Sequence, residues 1–425
     1  MTSMLIIVFF LSFLFLGIPV VGAMGLGAVV YILGFMNIPM NIVANQMLGG
    51  VGSYTLMAIP FFIISGALME SGGISRRIIS FSTALVGGLP GGLALVVIVA
   101  SAFFAAMTGS GAACVAAIGG MMIPALVKNG YDIDFATALQ AAGGTLGPMI
   151  PPSILMVLYS VSTGNSVGDM LLAGLLPGIL IAVSMMVVTI IISVKKGYKG
   201  GDPFSMKRVL SSFKESIWAL LTPVTILGGI YSGIFTPTEA AAFSCFYAMF
   251  VGFFIYKELT LKSLLKCLYN AIKGTGIILS IVAVTQLFSW IMTREGLPQQ
   301  IALMSTSISS NPQVFMLIIT FILIVVGMFL DPVPAVLIFA PILTPSAIAM
   351  GIDPIHFGVV MIATFCMGLV TPPVGMTLFV ASNIAHRPVL MVSKKVLPFL
   401  LSMLVAVVFI VLFPQISLLL PSLGK

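Results

Sequence analysis

The run Gly143-Gly-Thr-Leu-Gly-Pro-Met-Ile-Pro-Pro-Ser153 lies between apolar segments yet holds three glycines and three prolines. Proline removes a backbone donor and clashes with the preceding turn, and glycine adds freedom, so a helix passing through this run must open and leave carbonyl oxygens unpaired. In lipid such an opening is tolerated only where protein or water covers it. One isolated proline would read as an ordinary kink. Here the pattern occurs twice, because Gly368-Leu-Val-Thr-Pro-Pro-Val-Gly375 repeats the Gly-x-x-x-Pro-Pro frame. Sliding the sequence on itself by 221 positions keeps one register from Met107 on Met328, through Pro124 on Pro345, Gly130 on Gly351, Asp132 on Asp353 and Gly147 on Gly368, to Pro151-Pro152 on Pro372-Pro373. Most of these identities break or cap helices, so punctuation is what the two halves share.

Composition sets the class. A chain that is 60% hydrophobic and 7% charged, with a mean hydropathy of +1.23, is not a soluble globule, where roughly a quarter of residues carry charge. It reads as an all-α polytopic membrane protein. The apolar run from Met4 to Tyr31 is too long for a signal-peptide core and has no basic flank, so it is expected to stay as a span. Cys114, Cys245, Cys267 and Cys366 have no paired spacing and read as small core residues, and two histidines leave no pair for haem or zinc. No cofactor is expected. The basic runs Lys195–Lys214 and Lys257–Lys273 flank apolar segments, which marks them as cytoplasmic loops and not as a nucleic-acid surface.

The chain then maps in order. A first span from Met4 to Leu33 and a polar loop from Asn37 to Ser53 precede a second span, Tyr54 to Met69. Ile78 to Leu89 is too short to cross and reads as an interfacial arm. Residues 91–127 are apolar but break at Thr108-Gly-Ser-Gly111, either as a re-entrant hairpin or as two short spans; the uncharged tip favours the hairpin. A broken helix over 131–162 crosses outward, and Ser166 to Val194 crosses back. Residues 195–273 hold the basic loops and two central spans, Ile217 to Phe235 and Glu239 to Tyr256. Residues 274–425 then repeat the plan of 1–194: a span from Gly274 to Met292, an arm from Leu297 to Ile308, a hairpin over 313–349 broken at Gly327-Met-Phe-Leu-Asp-Pro332, a broken helix over 354–385, and a last span from Val396 to Phe413. Five crossings separate the two repeats, so the second is inverted relative to the first. On this map all but Arg294 and Lys425 of the 18 lysines and arginines face inward.

Inverted repeats with paired broken helices point to a secondary transporter whose site lies at the repeat interface. Unwound carbonyls from Gly144 to Pro152, with the hydroxyl of Ser110 or Thr145, suit a small hard cation. Gly327, Gly368 and Thr371 offer the same parts in the second repeat. Half-helix N-termini beyond Pro152 and Pro373, and at the hairpin tips, suit an anionic substrate. Asp331 is the one carboxylate this map puts inside the membrane, where an ionisable group is functional by default, and Asp331-Pro332 is equally a helix cap. Asp132, Asp134 and Asp353 read as loop caps, and Glu239 as the capping-box partner of Thr236.

Gly147-Pro-Met-Ile-Pro-Pro-Ser153, Gly233-Ile-Phe-Thr-Pro-Thr-Glu-Ala240, Gly351-Ile-Asp-Pro-Ile-His-Phe-Gly358 and Thr371-Pro-Pro-Val-Gly375 together closely resemble the large membrane subunit of the tripartite ATP-independent periplasmic (TRAP) transporters. The resemblance covers nearly the whole chain. It implies an elevator-type importer in the bacterial inner membrane, not an enzyme, that is driven by sodium and carries a small organic carboxylate such as sialic acid or a C4-dicarboxylate. It also implies two protein partners, a small four-helix membrane subunit and a periplasmic solute-binding protein, besides the surrounding membrane lipid. Sodium would bind near Ser110, Gly144, Thr145, Gly147, Ile150 and Pro152, and near Gly327, Gly368, Thr371 and Pro373. Substrate would meet Ser110, Ser153 and Asp331. The runner-up is a stand-alone sodium/dicarboxylate carrier. A membrane subunit of an ion-translocating redox complex, the rival of another class, would want more charge inside its spans.

Overall fold

The computed structural model describes residues 5–36, 38–201, 203–308 and 311–423, and no strand occurs among them. Met4, Asn37 and Lys425, which the sequence map uses, lie outside the described residues. The N-terminal segment departs from the single span expected over Met4 to Leu33. Helices α1 (Leu5–Phe15) and α2 (Val20–Phe35) are separate and pack on each other. Gly17, at a φ of +82°, reverses the chain, and Pro19 caps the next helix without an N–H of its own to satisfy. The two helices touch at Gly27, where a Cβ would lie 3.2 Å from the Phe10 nitrogen. Hydropathy alone reads through this turn because every residue around it is apolar. The polar stretch up to Ser53, expected as a loop, contains a helix, α3 (Asn41–Val51). It forms by packing: its Gly50 sits on Gln286, and a Cβ there would come within 2.6 Å of that side chain.

A single 3-10 turn, Tyr54–Met57, leads into α4 (Ala58–Ser71). The arm α5 (Ile74–Val86) is amphipathic and buries Ile74, Ile78 and Phe81. The break in the next apolar segment is real: α6 (Gly92–Thr108) and α7 (Gly111–Lys128) meet at Gly109, at a φ of +61°, and Ser110. Then come α8 (Ile133–Gly144), α9 (Ile154–Thr163) and α10 (Val167–Lys196). Helix α11 (Met206–Tyr231) begins within the first basic stretch. Helix α12 (Pro237–Phe250) opens on the expected Thr236/Glu239 capping box and ends in a π turn, Val251–Ile255.

Helix α13 (Leu261–Arg294) starts well before Gly274, so Lys262, Lys266 and Lys273 lie on a helix and not in a loop. At 34 residues it is about 51 Å long, more than a bilayer core requires. The second arm α14 (Leu297–Ile308) follows, then α15 (Pro312–Gly327), α16 (Pro332–Ala349), α17 (Pro354–Gly368), α18 (Met376–Ala385), α19 (Val389–Leu412) and α20 (Gln415–Leu423), a helix beyond the expected last span. Seven helices among the described residues are long and apolar enough to cross a membrane.

The helices pack in two groups. In a frame, α13 lies against α2, α3 and α4, α12 against α4, and α11 against α5 and α12. In an inner group, α8 packs on α7, α18 and α19, α16 on α9 and α17, and α10 on α17, α19 and α20. Two side chains tie the inner group across the sequence. The Tyr159 hydroxyl, fully buried, donates to the Pro354 carbonyl at 2.6 Å and bonds the Thr344 hydroxyl at 3.1 Å. Asp134, expected as a cap, instead accepts two bonds from Arg387 at 2.7 and 3.0 Å, which fastens the start of α8 to the end of α18. Asp132 and Asp353 do cap, each accepting a backbone N–H at 2.8 Å. All four cysteines are free and buried.

Candidate transport site

Both Gly-x-x-x-Pro-Pro runs interrupt helices. The first separates α8 from α9 over 145–153, and the second separates α17 from α18 over 369–375. Pro151-Pro152 and Pro372-Pro373 are both cis, and Gly130 and Gly351 both take positive φ, so equivalent positions in the 221-residue register share backbone states.

A hairpin tip packs on each break, backbone to backbone. A Cβ on Gly147 would lie 2.6 Å from the carbonyl carbon and oxygen of Ser110, and one on Gly109 would lie 2.7 Å from the Pro152 oxygen. In the second half a Cβ on Gly368 would collide with the Gly327 carbonyl, and the Val374 N–H donates to the Met328 oxygen at 3.3 Å. Glycine is required at 147 and 368 because main chains approach each other there, a constraint that the helix-opening argument does not contain.

Opening the helices frees acceptors. Among the described residues, the carbonyls of Thr145, Gly147, Ile150 and Pro152 accept no hydrogen bond, and neither do those of Gly327, Thr371 and Pro373. Those of Gly144 and Gly368 are taken, by the N–H groups of Gly147 at 3.0 Å and Thr371 at 3.1 Å. The Thr145 and Thr371 hydroxyls donate to Ala142 and Met367 at 2.6 and 2.7 Å, which leaves their oxygen lone pairs facing away from those bonds. Backbone oxygens in this number suit a hard monovalent cation, which prefers oxygen ligands and needs no carboxylate.

Between the two tips lies a cavity of about 210 Å³, lined by Gly109, Ser110, Gly111 and Ala112 from the first hairpin and by Asp331, Pro332 and Val333 from the second. Pro148, Ile154 and Leu155, Leu369 and Met376, and Ile278 of the frame complete it. Ser110 and Asp331, 221 residues apart, are therefore brought together. Ser153 is not: it is fully buried inside the break, where it bonds the Pro148 carbonyl and caps α9. Ile278 and Met376 were missed because apolar residues on apolar helices carry no signal of which one faces a cavity. Thr377 was missed too, although its hydroxyl closes the second break by donating to the Leu369 oxygen at 2.8 Å.

Charge in the cavity is asymmetric. Asp331 caps α16 by accepting the Val333 N–H at 3.0 Å, so the positive end of that helix is already matched by a carboxylate. The start of α7 is capped only by the neutral Ser110, and the N–H groups of Gly111 and Ala112 find no acceptor among the described residues. An anion fits best at α7, and a hydrogen-bond donor at Asp331.

Comparison with known proteins places the whole chain in one family. The model of the tripartite ATP-independent periplasmic transporter DctM component matches residues 7–416. The chain belongs to this family. The sialic acid TRAP transporter large permease SiaM of Vibrio cholerae is 40% identical, with 97% of each chain covered, and the C4-dicarboxylate TRAP transporter large permease DctM of Pseudomonas aeruginosa is 40% identical, with 94% of each covered. The isethionate TRAP transporter permease DctMQ of Oleidesulfovibrio alaskensis is 39% identical over 96% of this chain but only 65% of its own length. These relatives are named permeases, not enzymes, and this large permease is a multi-pass inner-membrane protein like them. The solved structure of the Alcanivorax borkumensis YdaH transporter shares the fold, with a TM-score of 0.61 over 96% of this chain and 97% of that one at 13% identity.

Proposed function

We propose that this large permease imports a small organic carboxylate together with sodium, and that the inner group of helices carries the cavity past the frame as a unit. The observation that carries the reading is the pair of opened helices with unpaired carbonyls, each packed against one of the two hairpin tips that line the cavity. Sodium would lie at the oxygens of Gly147, Ile150 and Pro152 in one half and of Gly327, Thr371 and Pro373 in the other. With two such sites, a monoanion would enter with one net positive charge, worth about 2.3 kcal/mol per 100 mV of membrane potential. Rigid motion of the inner group is supported by Tyr159 and by the Asp134–Arg387 pair, which join its two sequence halves.

The substrate's carboxylate would meet the free N–H groups at the start of α7. Asp331 is an acceptor and no lysine, arginine or histidine lines the cavity, so the other end of the substrate would carry hydroxyl or N–H donors; this favours a hydroxylated acid over a dicarboxylate. Family membership, and the extra length of DctMQ, support dependence on a small membrane subunit and a periplasmic binding protein. Proteoliposomes holding this chain with both partners test the reading. Uptake should require a sodium gradient, respond sigmoidally to sodium and rise with an inside-negative potential. Full uptake without a binding protein would favour the stand-alone carrier, and hyperbolic sodium dependence without a response to potential would remove the two-site coupling.

A further inference from the structure

The end of α10 and the loop after it form another polar cavity, which shares no lining residue with the transport site and, unlike it, is lined by lysines. It measures about 400 Å³, and Lys196, Tyr198, Lys199, Gly200, Asn129 and Tyr131 line it. Its construction is specific. The Gly201 N–H donates to the Gly87 oxygen at 2.8 Å and the Gly91 N–H donates to the Tyr198 oxygen at 3.1 Å, so this loop is laced to the turn between α5 and α6. The Tyr198 ring packs on that of Tyr131 at a tilt of 30°, with centroids 4.2 Å apart, and its hydroxyl accepts the Asp132 N–H at 3.1 Å, which fixes the third wall. The Asp132 carboxylate is turned to its own helix, where it caps α8.

The charge here is unbalanced. Neither Lys196 nor Lys199 forms an ion pair among the described residues, and the backbone N–H groups of Lys199 and Gly200 donate to no acceptor there. Two ammonium groups and two successive free amides on a rigid rim are what a phosphate oxygen cluster binds. Position selects the source of that phosphate. The apolar part of α10 ends at Val194, and Lys195 and Lys196 occupy its last turn, so the cavity opens where a span leaves the hydrocarbon and headgroups begin. Basic pockets at that depth take anionic headgroups.

We propose that this cavity binds the phosphodiester of an anionic phospholipid. The bound lipid would hold together two loops, 87–91 and 197–201, which follow α5 and α10 and lead towards α6 and α11. Binding itself does not depend on the transport reading.

The purified chain in detergent is titrated with short-chain phosphatidylglycerol, with phosphatidylcholine of the same chain length, and with glycerol 3-phosphate, read by native mass spectrometry. Phosphatidylglycerol should bind in preference to phosphatidylcholine. The double variant K196Q/K199Q should bind it about twenty-five-fold more weakly, at roughly a factor of five per lysine. The charge-keeping K196R/K199R should retain binding, and K262Q/K266Q, on the exposed start of α13, should leave it unchanged. Equal affinity for the two lipids, or an equal loss in both glutamine variants, would overturn the proposal. Binding of glycerol 3-phosphate as tight as that of the lipid would show a soluble phosphate site instead and overturn the assignment to lipid. All four lysines are exposed, so a folding failure is not built into the variants.

Discussion

At the scale of single residues, the site is defined by what is missing as much as by what is present. Gly147 and Gly368 have no side chain because a hairpin backbone occupies the place where a Cβ would be. Gly147→Ala should therefore push the Ser110 tip away from the first break, raise the sodium concentration for half-maximal uptake several-fold and flatten its sigmoidal form. Gly120→Ala is the matched control, since nothing lies within 4 Å of a Cβ on that α7 glycine, and it should leave uptake unchanged. Asp331→Asn keeps an oxygen to cap α16 but removes the charge, so in the same assay it should lower uptake at least tenfold with normal sodium dependence. Normal uptake in that variant would confine Asp331 to its cap. The sequence placed Ser110 and Asp331 at breaks because Gly, Ser, Asp and Pro are punctuation. It misassigned Ser153 and Asp134, whose polar groups are used by Pro148 and Arg387, partners that pattern cannot identify.

At the scale of elements, helix ends were legible wherever glycine, proline or a capping residue set them. Thr236-Pro-Thr-Glu239 opens α12, Asp353-Pro354 opens α17, and Gly73 and Gly296, at φ of +76° and +70°, precede the two arms. The errors were of the opposite kind. Helices α1 and α2 were merged because an apolar turn has no polar signature, and α3 was missed because its helical state depends on packing against α13. How the elements join is also tertiary. Tyr159 of α9 holds α16 and α17 through one hydroxyl, so Tyr159→Phe should remove both inter-helix bonds and destabilise the fold by about 1 kcal/mol, the Pro354 carbonyl keeping its acceptor role within α17. Thermal unfolding in detergent measures this, and an unchanged midpoint would mean that the ring's packing on Gly358 is sufficient by itself.

At the scale of the whole molecule, orientation follows from where the basic residues fall along the chain. Cysteines introduced at Lys199 and Lys262 in an otherwise cysteine-free background should resist a membrane-impermeant thiol reagent in intact cells, whereas one at Arg294 should react. Labelling of Lys199→Cys from outside would invert the map. With that orientation the proposed lipid cavity would lie in the inner leaflet, where anionic lipid is abundant.

Composition and the spacing of helix breakers determined by themselves that this chain is a polytopic helical membrane protein with two opened helices, since hydropathy and proline geometry act locally and need no partner. Only the tertiary structure decided which tip rests on which break, which carbonyls stay free, and that Ser110 and Asp331 share a cavity. Those are facts about contacts between segments from about forty to more than two hundred residues apart, and in a chain where nearly every residue is apolar, burial carries no pattern from which such pairing can be read.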